Sequence, residues 1–378
     1  MALRLSSLKI ENYRNIEHLE IPELAQVNLL VGKNNVGKTS LLEAVLIYVS
    51  RSSSMILDTI LAAREEANFT DKSLPARLEM YAMLFHGRET ALPSKRICIE
   101  TGNDFGKLEL QLVPCVLVRE SLGDGSVRST PQVITSSDYL DIPDAYLGLL
   151  YHHDNEKEII PLTPSRRLSG YGRAIRTSGN SLFIKSDNSI ISMLGESNIG
   201  DLWERIALTE KEEFIIQALS IIEPIKRLTV LSEERRNRVL SEEPRNRVKI
   251  LVQTIVEQRV SLKSMGDGMN RIFAIALAMV NAEGGFLLID EFDNGLHYTV
   301  QESLWKVIFF LAQKLNVQVF ATTHSLDCMY AFASICNTDE YRGLGKAIRL
   351  ERYNEALFAE TFSEDDLRKV VEHGIEIR

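Results

Sequence analysis

The sequence predicts an α/β fold, a mixed sheet with flanking helices into which a β-meander and a short helical arm are inserted. Three observations carry this. Short apolar runs at Val27–Val31, Phe286–Ile289 and 317–321 have the length and continuity of strands buried on both faces, as in a parallel sheet. The segments 40–49 and Tyr298–Leu315 repeat apolar residues at helical spacing, as helices packed on such a sheet do. Between 97 and 118, three strand-like runs are punctuated by turn residues, which reads as a meander.

A chain of 378 residues is long for one core and suits two lobes or one domain with a large insertion. Hydrophobic residues at 45% and charged residues at 25% are an ordinary globular balance, which excludes global disorder. The longest apolar stretch, around 272–280, is far short of the ~20 residues a membrane span requires. The first residues carry no apolar signal core with a small-residue cleavage site. Cys98, Cys115, Cys328 and Cys336 lack C-x-x-C spacing, so they read as reduced core residues of a cytoplasmic protein rather than zinc ligands. A net charge of −9 means that any nucleic-acid binding must come from a local patch.

In chain order, residues 8–14 alternate as an edge or half-buried strand does, with 18–21 as a hairpin partner. Pro22 interrupts before Val27–Val31. Helical pieces are expected to Val49, across 57–66 and across 73–85. Strands follow at Ile97–Glu100, 107–112 and 116–118, with turn signals at Gly102-Asn103-Asp104 and Gly123-Asp124-Gly125. Residues 144–150 read as a short helix and 158–162 as a strand. From 164 to 185 the chain carries Arg166, Arg167, Arg173, Arg176 and Lys185 with no acidic residue. A solvated loop fits this run, and so does contact with phosphate of nucleotide or DNA. Residues 202–222 keep a helical period until Pro224. Next comes a nine-residue tandem duplication, LSEERRNRV at 231–239 and LSEEPRNRV at 240–248. Too short for a solenoid, it reads as an insertion tolerated at an exposed hairpin or arm tip, its glutamates nearly balancing its arginines.

The chemistry concentrates at two places. Gly32-Lys33-Asn34-Asn35-Val36-Gly37-Lys38-Thr39 satisfies G-x-x-x-x-G-K-[ST] between a strand and a helix. The glycines permit backbone turns that aim successive N–H groups at phosphate oxygens, and the following helix presents its positive end to the same anion. Gly32, Asn34, Asn35, Val36, Gly37, Lys38, Thr39 and Ser40 are therefore expected to hold the phosphates of a nucleotide. Lys38 would reach the β- and γ-phosphates and the Thr39 hydroxyl would ligate Mg²⁺.

Far downstream, Ser264-Met265-Gly266-Asp267-Gly268 opens an apolar helix, a second phosphate-receptive N-terminus. Phe286–Ile289 then delivers Asp290 and Glu291, a Walker B arrangement. Asp290 belongs in a Mg²⁺ shell, and Glu291 is placed to orient or deprotonate an attacking water. The strand at 317–321 ends in Thr322-Thr323-His324-Ser325, where open α/β sheets put ligand groups, and His324 is expected to sense the γ-phosphate. Residues 347–352 and 356–360 read as a hairpin, and Ser363-x-x-Asp366 as a capping box for a last helix.

These blocks, in this order and with a long insertion between Lys38 and Asp290, resemble the ABC ATPases of the RecF/SMC/OLD group. LKIENYRNI at 8–16, GKNNVGKTS, SMGDG, LLIDEFDNGLH and ATTHS carry the resemblance; nothing between about 50 and 260 does. It implies an ABC-ATPase head made of residues 1–50 and 261–378 around an insertion at 51–260, using ATP and Mg²⁺. It also implies a head-to-tail homodimer, or a higher even-numbered oligomer, in which Ser264, Gly266 and Gly268 cap the γ-phosphate on the partner and the loop from Asp293 crosses the interface. The segment departs from the LSGGQ of transporter subunits, no glutamine is assigned to a Q-loop, and no membrane partner is expected. OLD nucleases carry a Toprim domain after the head, for which the residues beyond His324 are too few, so an ATPase without its own nuclease is expected. The implied function is ATP-driven dimerisation that gates a separately encoded effector, a nuclease or toxin acting on nucleic acid, in anti-phage defence or DNA maintenance. The alternative is a RecF-like, ATP-dependent DNA-binding clamp in DNA repair, with Arg166, Arg167, Arg173 and Arg176 as its DNA contacts.

Overall fold

The computed structural model describes residues 5–51, 53–102, 106–121, 127–136, 138–153, 156–162, 180–187, 189–192, 195–233, 247–256, 259–354 and 356–373. The chain opens with the hairpin β1 (Leu8–Tyr13) and β2 (Ile16–Ile21), paired from Leu8↔Ile21 to Tyr13↔Ile16 as the alternation requires. β3 (Val27–Val31) is buried at every position and feeds α1 (Lys38–Val49), which is buried almost all round and accordingly has few polar residues. α2 (Ser54–Ala63) and α3 (Leu74–Ala82) follow, the latter capped by the Ser73 hydroxyl, which accepts the Ala76 N–H at 3.4 Å.

The meander is built from β4 (Ile97–Glu100), β5 (Lys107–Ser121), β6 (Val127–Val133), β7 (Tyr146–His153) and β8 (Glu156–Pro161). Two sequence expectations change here. The runs at 107–112 and 116–118 are one strand, β5, which pairs with β7 over 108–115 and with β6 over 115–121. Residues 144–150 are not a helix; 146–150 begin β7, held between β5 and β8. The leucines favour helix locally, but pairing on both edges outweighs that preference. Gly148 allows the close packing: a Cβ there would meet Cys115 Sγ and Ile159 Cγ2 at 2.8 Å.

Next come β9 (Ser181–Ile184), β10 (Ile190–Ser192), β11 (Gly195–Ser197), α4 (Ile199–Glu204) and α5 (Lys211–Ser220). The periodic stretch 202–222 is thus two helices, broken where Leu208 takes φ +61° and its N–H is received by the Glu212 carboxylate at 2.6 Å. β12 (Ile225–Glu233) and β13 (Arg247–Thr254) form an antiparallel hairpin with β14 (Arg259–Ser261) beside β13. The duplication enters and leaves through this hairpin, with Leu231↔Lys249 and Glu233↔Arg247 as partners; residues 234–246 lie outside the described ones.

The remainder is α6 (Asp267–Asn281), β15 (Phe286–Ile289), α7 (Tyr298–Leu315), β16 (Gln318–Thr322), α8 (Leu326–Cys336), β17 (Gly345–Tyr353), β18 (Ala356–Phe362) and α9 (Glu364–His373). The expected capping box is formed: the Asp366 N–H donates to Ser363 Oγ at 3.2 Å and the Ser363 N–H to Asp366 Oδ2 at 3.0 Å.

Three sheets result. The central one runs β11-β10-β9-β15-β16-β3-β17-β18, parallel from β9 to β17 with antiparallel edges. A second, antiparallel sheet joins the N-terminal hairpin to the meander through β1 and β4. The third is β12-β13-β14. Alternate residues of the central strands enter two cores. Leu287, Ile289, Val319 and Ala321 pack with the α6, α7 and α8 side, while Phe286, Leu288, Phe320 and Leu30 pack with α1 and the antiparallel sheet. Both faces are covered, which is why these strands are uniformly apolar.

One buried polar side chain ties the N-terminal segment to the central sheet. Gln318 Oε1 accepts the Leu5 N–H at 3.0 Å, and its Nε2 donates to the Leu5 and Ala25 carbonyls at 2.9 Å each. Gln318→Leu fills the space but strands these backbone groups, so it should lower unfolding free energy by about 2–3 kcal/mol in chemical denaturation. A loss below about 0.5 kcal/mol would show that these bonds contribute little.

Candidate nucleotide site

The order β15-β16-β3 places the C-terminal ends of three parallel strands side by side. Ile289 is level with Ala321, and Thr322 with Leu30, so Asp290-Glu291, Thr322-Thr323-His324 and the loop after Val31 emerge along one rim. Gly32 takes φ +146°, and a Cβ on it would lie 2.5 Å from the Leu350 carbonyl oxygen, so a side chain is barred twice over. Gly37, at φ +126°, lies against the Asn15 side chain.

Lys38 is buried, and its Nζ donates to the Gly32 and Lys33 carbonyls at 2.7 and 3.0 Å. Burial pulls its pKa below the usual lysine value, opposed by the charges of Asp290, Glu291 and Asp293. The Thr39 hydroxyl donates to Asp290 at 2.9 Å, so the two expected Mg²⁺ ligands converge from positions 251 residues apart. One hydroxyl and one carboxylate, all oxygen, fit a small hard cation that takes its other ligands from phosphate and water. Among the described residues no cluster of three His, Cys, Asp or Glu side chains could hold a metal by itself.

A cavity of about 570 Å³ opens over this rim. Asn34, Asn35, Gly37, Lys38, Thr39 and Ser40 line it, with Asp290, Glu291 and His324 opposite. Gly32 and Val36 are buried in the loop behind. Ser264, Gly266 and Gly268 do not reach the cavity. Ser264 and Gly266 are exposed at the entry to α6, and no atom lies within 4 Å of where a Gly266 Cβ would be. Arg166, Arg167, Arg173 and Arg176 lie outside the described residues.

Sequence reasoning missed the far wall, which includes Arg14, Asn15, Arg64, Glu66, His86 and Arg88. An ion cluster centred on the buried side chains of Glu43 and Arg14 builds part of it. Glu43, on α1, receives Arg14 Nε at 2.9 Å, Arg64 Nε at 2.8 Å and the Tyr13 hydroxyl at 3.1 Å, and Arg14 Nη1 also meets Glu66 at 2.8 Å. Arg14 Nη2 and Asn15 Oδ1 are buried without a hydrogen-bond partner. The signal for this wall was Glu43, a lone acid inside an apolar helix, which calls for buried counter-charges.

A P-loop, a carboxylate strand and an intervening strand ending in His324 define an ABC-type ATPase of the RecF/SMC/OLD group. Comparison with known proteins carries this further. The family model described as AAA ATPase domain matches residues 3–96 and 151–329, and the chain belongs to that family. It is 23% identical over 383 aligned positions to an ATP/GTP phosphatase of Helicobacter pylori, with 98% of each chain covered. Over 110 residues it is 31% identical to the DNA replication and repair protein RecF of Listeria monocytogenes, a match spanning 27% of this chain and 30% of RecF. Among solved structures it is similar to the SMC head domain from Thermotoga maritima, with a TM-score of 0.46, 14% identity and coverage of 96% of this chain and 100% of that one. Among the described residues no helix is long and apolar enough to cross a membrane, and all four cysteines are free.

Lys38→Met removes the ammonium while keeping the stem, and should weaken ATP binding by about 10- to 100-fold in calorimetry. Glu43→Gln keeps the shape but leaves the buried Arg14 guanidinium short of charge and weakens the hold on the more exposed Arg64. It should destabilise the fold by about 3 kcal/mol, seen as a lowered denaturation midpoint.

Proposed function

We propose that this chain is a Mg²⁺-dependent ATPase in which ATP draws two copies together head to tail, and that this closure gates a separate effector. The effector would be a nuclease or toxin acting on nucleic acid, in anti-phage defence or DNA maintenance. The observation that carries the dimer is the separation of the signature segment from the cavity: Ser264 and Gly266 are exposed while Lys38, Thr39, Asp290, Glu291 and His324 line one cleft. A second copy would supply the missing donors. The separate effector rests on the resemblance to OLD-type ATPases.

In this reading the P-loop amides and the Lys38 ammonium bind the β- and γ-phosphates, where charge builds during transfer. Thr39 and Asp290 hold Mg²⁺, which neutralises phosphate charge when bound. Glu291, half-buried on the cavity wall, orients the attacking water and takes its proton. His324, exposed on the same rim, donates to the γ-phosphate.

The dimer has a direct test by mixing. Lys38→Ala and Ser264→Glu should each be inactive alone, and a mixture should recover turnover, because the heterodimer contains one intact pairing of P-loop and signature. No recovery on mixing would sink the head-to-tail arrangement. Glu291→Gln should bind ATP, hydrolyse it at least about 100-fold more slowly and accumulate as an ATP-bound dimer in size-exclusion chromatography with light scattering.

The local match to RecF favours a second reading, an ATP-dependent DNA clamp. DNA binding by the purified chain across a salt series separates the two. A steep salt slope, lost when Arg166, Arg167, Arg173 and Arg176 are neutralised, supports the clamp. An ATPase that gates an effector needs no such binding.

A further inference from the structure

β16 lies between the P-loop strand and the Asp290 strand, and its last residue, Thr322, is completely buried. Its hydroxyl makes two hydrogen bonds, both to the loop that carries the acids. Oγ1 donates to Asp290 Oδ1 at 2.7 Å and accepts the Glu291 N–H at 2.8 Å. A hydroxyl has one proton and two lone pairs, so both bonds are satisfied together. The Thr322 carbonyl takes the next amide as well, from Phe292 at 2.8 Å. One residue therefore holds three successive positions after β15.

Glu291 is where that grip matters. Its backbone takes φ +46°, the left-handed region, which a non-glycine residue occupies at a cost and keeps only when its surroundings enforce it. The Thr322 hydroxyl receives the amide of this same residue, and Asp290, one position earlier, is held between the hydroxyls of Thr39 and Thr322. The adjacent Thr323 faces the other branch: its hydroxyl donates to Asp293 at 2.5 Å and accepts the Ser325 N–H at 2.9 Å.

We propose that Thr322 is a positioning residue for ATP hydrolysis, its single hydroxyl fixing both the Asp290 carboxylate and the backbone turn that aims Glu291 into the cavity. This rests on the reading of Asp290 as a Mg²⁺ ligand and Glu291 as the residue that prepares water. Without the hydroxyl, Asp290 loses one of its two orienting donors and the Glu291 amide loses its acceptor. The turn is then free to relax to negative φ, swinging the carboxylate from its working direction.

The test compares Thr322→Val, close to isosteric but without the hydroxyl, with Thr322→Ser, which keeps it. Thr322→Val should lower kcat by about 10- to 100-fold. The Mg²⁺ concentration for half-maximal binding of a non-hydrolysable ATP analogue, read by calorimetry, should rise by about 10-fold. Binding of the same analogue in EDTA should stay within about 3-fold of the parent, since the P-loop is untouched. Thr322→Ser should restore both quantities to within about 3-fold. Should the valine variant fail to fold, Thr322→Cys, with a weak thiol donor, is expected to give an intermediate loss. A valine or cysteine variant that melts lower yet keeps its kcat and Mg²⁺ requirement would overturn the proposal, leaving Thr322 a packing residue. If Asp290→Asn and Glu291→Gln also leave turnover unchanged, the underlying assignment of the acids fails too; if they abolish it, only the role of Thr322 falls.

Discussion

The hydrogen bond between Thr39 and Asp290 is the contact on which the candidate site depends, because it brings together residues 251 positions apart in the sequence. Neither residue reaches the other by local structure. Thr39 lies in the first turn of α1 and Asp290 follows β15, and β16 separates their strands in the sheet. The distance is set by parallel registers on both sides of β16, which align three strand ends to within a residue. Those registers are in turn held by two cores that grip alternate side chains of the same strands. A slip of one residue in β15 would send Leu287 and Ile289 into the wrong core and carry Asp290 away from the P-loop. Core packing and the geometry of the candidate site are thus one constraint.

The second constraint is electrostatic. Glu43 is buried in a helix otherwise suited to an apolar environment, and a lone carboxylate there would be costly. Arg14 and Arg64 offset that cost from two different elements, and Glu66 balances the extra charge. A hydrophobic replacement of such a cluster is often equally stable, so stability alone does not account for it. Its location offers a better account. Arg14, Arg64 and Glu66 all line the cavity beside the P-loop, so the cluster orders polar groups along that wall.

Much of this was legible from residue pattern, and the exceptions have physical causes. The P-loop, Asp290 and His324 could be placed because each follows an apolar strand whose period and length are unambiguous. The far wall was not legible, because Arg64, His86 and Arg88 come from segments whose spacing carries no motif and which reach the cavity only through tertiary packing. The helix expected at 144–150 fails for a related reason: its leucines favour helix locally, and the pairing of β7 with β5 and β8 overrides them. The break at Leu208 was equally hidden, since a helical period can continue in phase across a turn.

Net charge is a poor guide to such a site. The protein carries −9 overall, yet the cavity wall brings Lys38, Arg14, Arg64 and Arg88 together against Glu66, Asp290 and Glu291. Much of that positive charge is already committed. Lys38 donates to loop carbonyls, Arg14 and Arg64 answer Glu43, and Asp290 is braced by two hydroxyls. A polyphosphate entering here would meet groups already oriented and would need little reorganisation of them. Preorganisation of this kind is most effective where the local dielectric is low, as around the buried Lys38 and Asp290 side chains.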